Sequence, residues 1–260
     1  MEFITSKANE KIKYAVKLRD SASFRKAENL FFIESARLVK DAATSGAEIE
    51  MLFVTEEANR KYSDYIESVL KNTKKTFLIT PEISEKLSDT KSSQGVFALV
   101  RMLDKFANIS KINYYGKYVV LEEISNPSNF GAICRTAEAV GLNGIIIKGG
   151  CDVYNPKVQR AAMGALFRLD VITIDDLPEL FSILKKEGMK IYGSVPDSSA
   201  VKITEIEKTG GIVCVIGNEG NGISEETKEN TTLVTIPMNG YAESLNAAAA
   251  ATIIMWEMVR

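Results

Sequence analysis

The stretch IPMNGYAESLNAAAAATIIMWE, residues 236–257, decides the fold. It reads as a strand ending at Pro237, a short polar loop, and a long alanine-rich helix opening at Ser244-Leu245-Asn246. Proline suits a strand end because it lacks a ladder donor, and Ser or Asn suits a helix start because its side chain accepts from free N–H groups. Two other segments give the stretch meaning: NPSNFGAICRTAEAVG at 126–141 and VIGNEGNGIS at 215–224. All three set polar or glycine residues where an apolar strand hands over to a helix. Open α/β sheets hold their ligands at such carboxyl strand ends.

Working outward, apolar β-branched runs predict strands at 118–124, 144–149, 170–174, 190–195, 211–217 and 233–238. Helical patterns separate most of them, which implies a mostly parallel sheet with helices on both faces. The first part of the chain alternates as well. A basic helix around 6–20 precedes a strand at 29–34 and a helix at 35–46, with Ser35 as N-cap and Gly46 as stop. Strands at 49–55, 75–80 and 95–100 follow, with a helix near 57–72 and a short one opening at Thr80-Pro81. The expected organisation is a smaller N-terminal α/β domain at 1–104, a linker at 105–116 and a larger domain at 117–260. Phe106, Ile109 and Ile112 in the linker are also compatible with a short helix.

Composition narrows the function classes. The 260 residues are 45% hydrophobic and 25% charged, as in an ordinary globular protein. No window is apolar enough for a membrane span, and the N-terminus lacks the apolar core of a signal peptide. Three scattered cysteines, Cys134, Cys151 and Cys214, argue against a disulfide framework or a zinc site, so a cytoplasmic protein without metal is expected. The chain has no histidine, which removes the usual base near neutral pH and excludes Ser-His-Asp triads and HExxH metal sites. GNEGNG at 217–222 has its glycines in the wrong register for a dinucleotide fingerprint, and no GxxxxGK[ST] loop occurs. Net charge is −2, yet residues 1–40 hold 9 Lys+Arg against 5 Asp+Glu. That excess suits either phosphate contact or a solvated helix face.

Taken in order, the three segments resemble the three motifs of the SpoU (TrmH-like) family of RNA ribose 2′-O-methyltransferases, within the SPOUT class. Asn129 and Arg135 match the first motif, Gly217, Glu219 and Gly222 the second, and Ser244, Leu245 and Asn246 the third. The resemblance implies a C-terminal trefoil-knotted domain, S-adenosyl-L-methionine as cofactor, structured RNA as partner (rRNA favoured over tRNA) and a homodimer formed through the C-terminal domain. It also implies that Gly217, Ile236, Leu245 and Asn246 line the cofactor, and that Asn129, Arg135, Glu219, Ser244 and Asn246 form the catalytic set. FFIESARLV and SDTKSSQGVFALV resemble the family's accessory domain, which looks like an RNA-binding ribosomal-protein fold, and Arg25, Lys26 and Arg37 are the RNA contacts expected there. Where family members often carry polar residues after Asn246, this chain has Ala247 and Ala248.

Several roles stay open at this level. The glycines at 217–222 allow backbone to approach an adenine ring, or serve a tight turn. Arg135 remains charged at any ordinary pH, so it suits polarising a hydroxyl and binding a phosphate, or pairing with Glu138 at i+3. Glu219 is expected to orient Arg135, accept from a ribose, or favour a helix N-terminus. Cys134 next to Arg135 is either a thiolate nucleophile or a small buried hydrophobe.

Overall fold

The computed structural model describes residues 1–103 and 109–260. Two compact units emerge: Met1–Leu103 with Asp152–Phe167, and Asp104–Cys151 with Arg168–Arg260. Of the expected linker, residues 105–108, including Phe106, lie outside the described residues, and Ile109–Lys111 forms one 3-10 turn.

The first stretch of chain runs β1 (Glu2–Ile4), α1 (Glu10–Asp20), α2 (Ala22–Glu28), β2 (Leu30–Glu34), α3 (Ala36–Thr44), β3 (Ile49–Thr55), α4 (Glu56–Lys61), α5 (Ser63–Leu70), β4 (Thr73–Ile79), α6 (Pro81–Leu87) and β5 (Val96–Arg101). Its five-stranded sheet has the order β1-β4-β3-β5-β2, with β5 antiparallel to both neighbours. One face is paved by Phe32, Phe53, Phe77 and Phe97, on which Ile12 and Leu18 of α1 and Ile83 and Leu87 of α6 pack. Burying each such side chain contributes roughly 1.5–3 kcal/mol. Ser35 caps α3 as expected, accepting from Leu38 N–H at 3.3 Å. The single helix expected at 57–72 is two helices, because the backbone leaves helical geometry at Tyr62, whose N–H closes α4 on Ala58 while its carbonyl opens α5. β1 was not expected. Three residues with one buried side chain, Ile4, leave no alternation to read.

The second stretch runs β6 (Lys117–Glu122), α7 (Pro127–Ala139), β7 (Gly144–Lys148), α8 (Pro156–Ala162), β8 (Asp170–Ile174), α9 (Leu177–Lys186), β9 (Lys190–Ser194), β10 (Val201–Lys202), β11 (Ile212–Ile216), α10 (Glu225–Asn230), β12 (Thr232–Thr235) and α11 (Ala247–Val259). The helix α8 belongs to the first unit although it follows β7, whereas the sequence reading left 152–167 in the second domain. Phe31 on β2 explains this: its ring lies 4.6 Å from Tyr154 and 6.3 Å from Phe167, and Arg25 pairs with Asp152.

The second unit carries a seven-stranded sheet of order β10-β12-β9-β11-β6-β7-β8, parallel at every pairing. Alternate residues of its central strands, Tyr118 and Val120, Ile146, Val213 and Val215, meet Leu180, Phe181 and Leu184 of α9. On the opposite face α11 packs against α7 and against β6 and β11. The last strand ends at Thr235, not at Pro237, because its partner β9 ends at Ser194, level with Val234. Residues 236–246 are therefore loop, and that loop is part of the site.

Candidate functional site

β6 and β11 are neighbours, so the loops leaving their carboxyl ends lie side by side. Asn126 begins α7: its Oδ1 accepts from Ser128 N–H at 2.8 Å and Asn129 N–H at 3.3 Å. From the loop after β11, Glu219 accepts from Ser125 N–H at 3.2 Å, Asn126 N–H at 3.1 Å and the Asn129 side-chain amide at 3.0 Å. Asn129 in turn accepts from the Asn246 amide at 3.1 Å. Asn246 caps α11 with its oxygen, accepting from Ala248 N–H at 3.0 Å and Ala249 N–H at 3.3 Å. One hydrogen-bonded chain thus joins the three motifs. Partial burial raises the Glu219 carboxyl, but the Asn129 amide and the backbone donors outweigh it and hold the group below the ordinary glutamate value.

The loop after β11 is built on its own backbone. Asn218 and Gly222 bridge each other, and a Cβ on Gly217 would lie 2.0 Å from the Gly222 carbonyl carbon. Gly217 thus serves the loop's close approach to itself, and of the three glycines Gly222 takes the positive φ, 70°, that a tight turn asks for. Asn218 staples the loop, donating to Glu123 O at 2.7 Å while its oxygen accepts from Gly220 N–H at 2.8 Å. Sequence reasoning missed Asn126 and Asn218. Each is an Asn just after a strand, with acceptable N–H groups two or three positions on, and that pattern is the available signal.

A cleft of about 740 Å³ opens at the carboxyl ends of β9, β11 and β12. Gly217, Ile236, Leu245 and Asn246 line it, as does Ser244. Ser244 makes no cap: that role falls to Asn246 alone. Asp197, after β9, also faces the cleft and was not anticipated. Apolar walls with a few backbone and side-chain polar groups, in a volume within the roughly 300–1,000 Å³ of small-molecule sites, fit a nucleoside carrying an amino-acid tail. No group of three or more His, Cys, Asp or Glu side chains among the described residues could hold a metal ion.

Arg135 stands exposed on α7, outside the lining of this cleft, with no side-chain hydrogen bond or ion pair among the described residues. The pairing with Glu138 does not form, since Glu138 accepts from Arg168 at 2.7 Å. Glu219 does not orient Arg135: its acceptors are taken by Asn129 and the 125–126 backbone, and it opens no helix. Cys134 is fully buried, and burial pushes its thiol far up, so the nucleophile reading is lost.

The three expected RNA contacts separate. Arg25 is 3% exposed and spends its guanidinium on Leu18 O, Arg19 O and Asp152. It holds the first unit together and is too buried to serve as the expected RNA contact. Lys26 and Arg37 are exposed, and Arg37 borders a second cleft in that unit.

A parallel sheet with a cleft at its carboxyl edge, together with a separate α/β unit drawn mostly from the first part of the chain, is the architecture of SPOUT-class RNA 2′-O-methyltransferases. The model of the SpoU rRNA Methylase family matches residues 116–256 and that of an MRM3-like substrate binding domain matches 9–98, and the chain belongs to the SpoU rRNA methylase family. It is 30% identical to the 23S rRNA (guanosine(2553)-2′-O)-methyltransferase RlmP of Bacillus subtilis (strain 168), over 99% of each chain. Among solved structures it is similar to an RNA 2′-O ribose methyltransferase (26% identity, 98% of this chain and 97% of that one, TM-score 0.85). It is also similar to the SpoU methyltransferase AviRb from Streptomyces viridochromogenes in complex with AdoMet (25% identity, 96% and 97% covered, TM-score 0.83).

Proposed function

We propose that this protein methylates a ribose 2′-oxygen of structured RNA, with 23S ribosomal RNA as the favoured substrate. The observation that carries the reading is the Asn246–Asn129–Glu219 chain beside the glycine-walled cleft. When bound, S-adenosyl-L-methionine supplies a methyl carbon already activated by its sulfonium. The backbone and apolar walls of 216–223 and 235–246 would hold it, leaving positioning and water exclusion as the protein's main tasks.

Arg135 has a free, permanently charged donor fork, which suits binding a phosphate and polarising the adjacent ribose hydroxyl. Its charge also bars it from removing the proton. Asn129, fixed on both sides, offers its backbone turn as a rigid seat for the sugar.

Two further features belong to the same reading. Segment 236–246 leaves β12, beside β9 and β10, and returns to α11 over β6 and β11, the kind of path a threaded, knotted C-terminus takes. Ile253 and Trp256 are 38% and 55% exposed one turn apart on α11, an apolar stripe suited to a second copy of the chain in a cytoplasmic homodimer.

The test is transfer of labelled methyl from S-adenosylmethionine to total ribosomal RNA and to total tRNA, with the product mapped by nuclease digestion and mass spectrometry. Label on a 2′-oxygen of 23S RNA is expected. Label only in tRNA would move the substrate, and label on a base would refute the reaction.

A further inference from the structure

We propose that a cleft of about 290 Å³ in the first unit, walled by Arg37, Leu38, Gln94, Arg160 and Met163, takes one unstacked nucleobase of the RNA, guanine by preference. The inference rests on RNA being the substrate. It concerns residues outside the three methyl-donor motifs.

Four observations carry it. Arg160 bonds Asp89 through Nη2 at 2.9 Å, while its Nη1 is buried and has no acceptor. A buried donor left unpaired costs about 1–3 kcal/mol and calls for a reason. A second guanidinium, Arg37, lines the same cleft, exposed and without a partner among the described residues. The backbone just before Arg37 is strained: Ser35, which also lines the cleft, sits at φ 114°, a region non-glycine residues enter at a cost of roughly 1–3 kcal/mol and mostly at ligand sites. The rim is also fixed in advance. Buried Glu34 accepts from Ser88 Oγ at 2.6 Å, Asp89 N–H at 3.2 Å and Thr90 Oγ1 at 3.0 Å, and Gln94 accepts from Ala36 N–H at 3.0 Å.

Charge and size choose the ligand. Glu34, Asp41 and Asp89 stand at or next to the walls, which disfavours a free phosphate despite the two arginines. Leu38 and Met163 offer apolar contact to a ring, and the volume suits one base. Guanidinium donors pair with the O6 and N7 acceptors of guanine. RNA readers commonly take such splayed bases from loops and bulges.

The experiment is saturation-transfer NMR on the full chain with GMP, AMP and ribose 5-phosphate. GMP should saturate, AMP should bind more weakly and ribose 5-phosphate should not bind. Arg37→Glu and Arg160→Met should each weaken GMP by about tenfold or more, leaving S-adenosylmethionine affinity unchanged. Arg37 is exposed, so its variant tests the site even if Arg160→Met unfolds. A pentaribonucleotide with a single G should displace GMP. Equal binding of ribose 5-phosphate, indifference to Arg37→Glu, or GMP binding that the oligonucleotide cannot compete would each overturn the proposal. Methyl transfer measured on the same preparation separates the cases: transfer intact with no GMP site sinks this inference alone.

Discussion

Asn246 donates its side-chain amide to the oxygen of Asn129, 117 positions earlier, at 3.1 Å. The same side chain caps α11 with its oxygen, so one residue fixes both the start of the last helix and the orientation of the first motif. Aspartate at this position would keep the cap and lose the donor. Asn246→Asp should therefore melt close to the unchanged protein, whereas Asn246→Ala should lose about 1 kcal/mol of stability. Both should lose methyl transfer. Full activity in Asn246→Asp, measured by label incorporation, would detach the amide relay from function.

Glu219 converts that relay into a pH dependence. Its carboxyl is held below the ordinary value of 4.5, so the stabilisation it gives is fully present above that value and is lost as pH falls through the lowered one. Thermal melting of Glu219→Gln should lie below that of the unchanged protein at neutral pH, with the gap closing in acid. Turnover should fall on the order of a hundredfold, because Asn129 and the 125–126 turn lose their shared acceptor. A gap that persists unchanged at low pH would contradict the assignment.

Among the described residues the Arg135 side chain has no partner, so removing it should leave stability within about 0.5 kcal/mol. Its loss should be felt in the reaction. Arg135→Ala is expected to lower turnover by about a hundredfold or more with the methyl-donor Kd, read by calorimetry, nearly intact. Lysine, a point charge without a planar fork, should restore little. Unchanged turnover in the alanine variant would remove the arginine from the chemistry.

The strands of the parallel sheet were legible because buried β-branched runs such as 144–148 and 170–174 have ends marked by glycine or polar residues. The convergence of Asn129, Gly217 and Asn246 was legible only through the motif resemblance, since the chain carries no pattern for contacts spanning more than a hundred positions. Arg25 misled for a physical reason: a basic residue beside Lys26 looks like phosphate contact, yet Asp152, 127 positions on, is its partner. Tyr154 and Phe167 were likewise silent, because aromatic residues in an α/β stretch do not announce that they will cover β2, more than a hundred positions earlier in the same unit.

Gly217 and Gly220 provide a matched pair. A Cβ on Gly217 would meet the Gly222 carbonyl carbon at 2.0 Å and Ile223 N at 2.2 Å, all backbone, so the loop must open. On Gly220 the nearest atom is Asn218 Oδ1 at 3.5 Å, an ordinary contact. Gly217→Ala should cost about 1–3 kcal/mol and abolish methyl-donor binding by calorimetry. Gly220→Ala should do neither. Equal behaviour of the two would show that the loop's close approach to itself does not shape the cleft.

The stripe on α11 makes the homodimer testable without any substrate. Ala251, Ile254, Met255 and Met258 face inward and are buried, while Ile253 and Trp256 face out. Much of their apolar area is left uncovered by the described residues. Sedimentation velocity on the unchanged protein should give a dimer, and Trp256→Glu a monomer that still melts cooperatively, since an exposed side chain contributes little to the monomer's own fold. If donor binding weakens with dissociation, the partner copy completes the cleft. If it does not, the cleft is whole in one chain. A monomeric unchanged protein would refute the dimer outright and leave the exposed tryptophan to another partner.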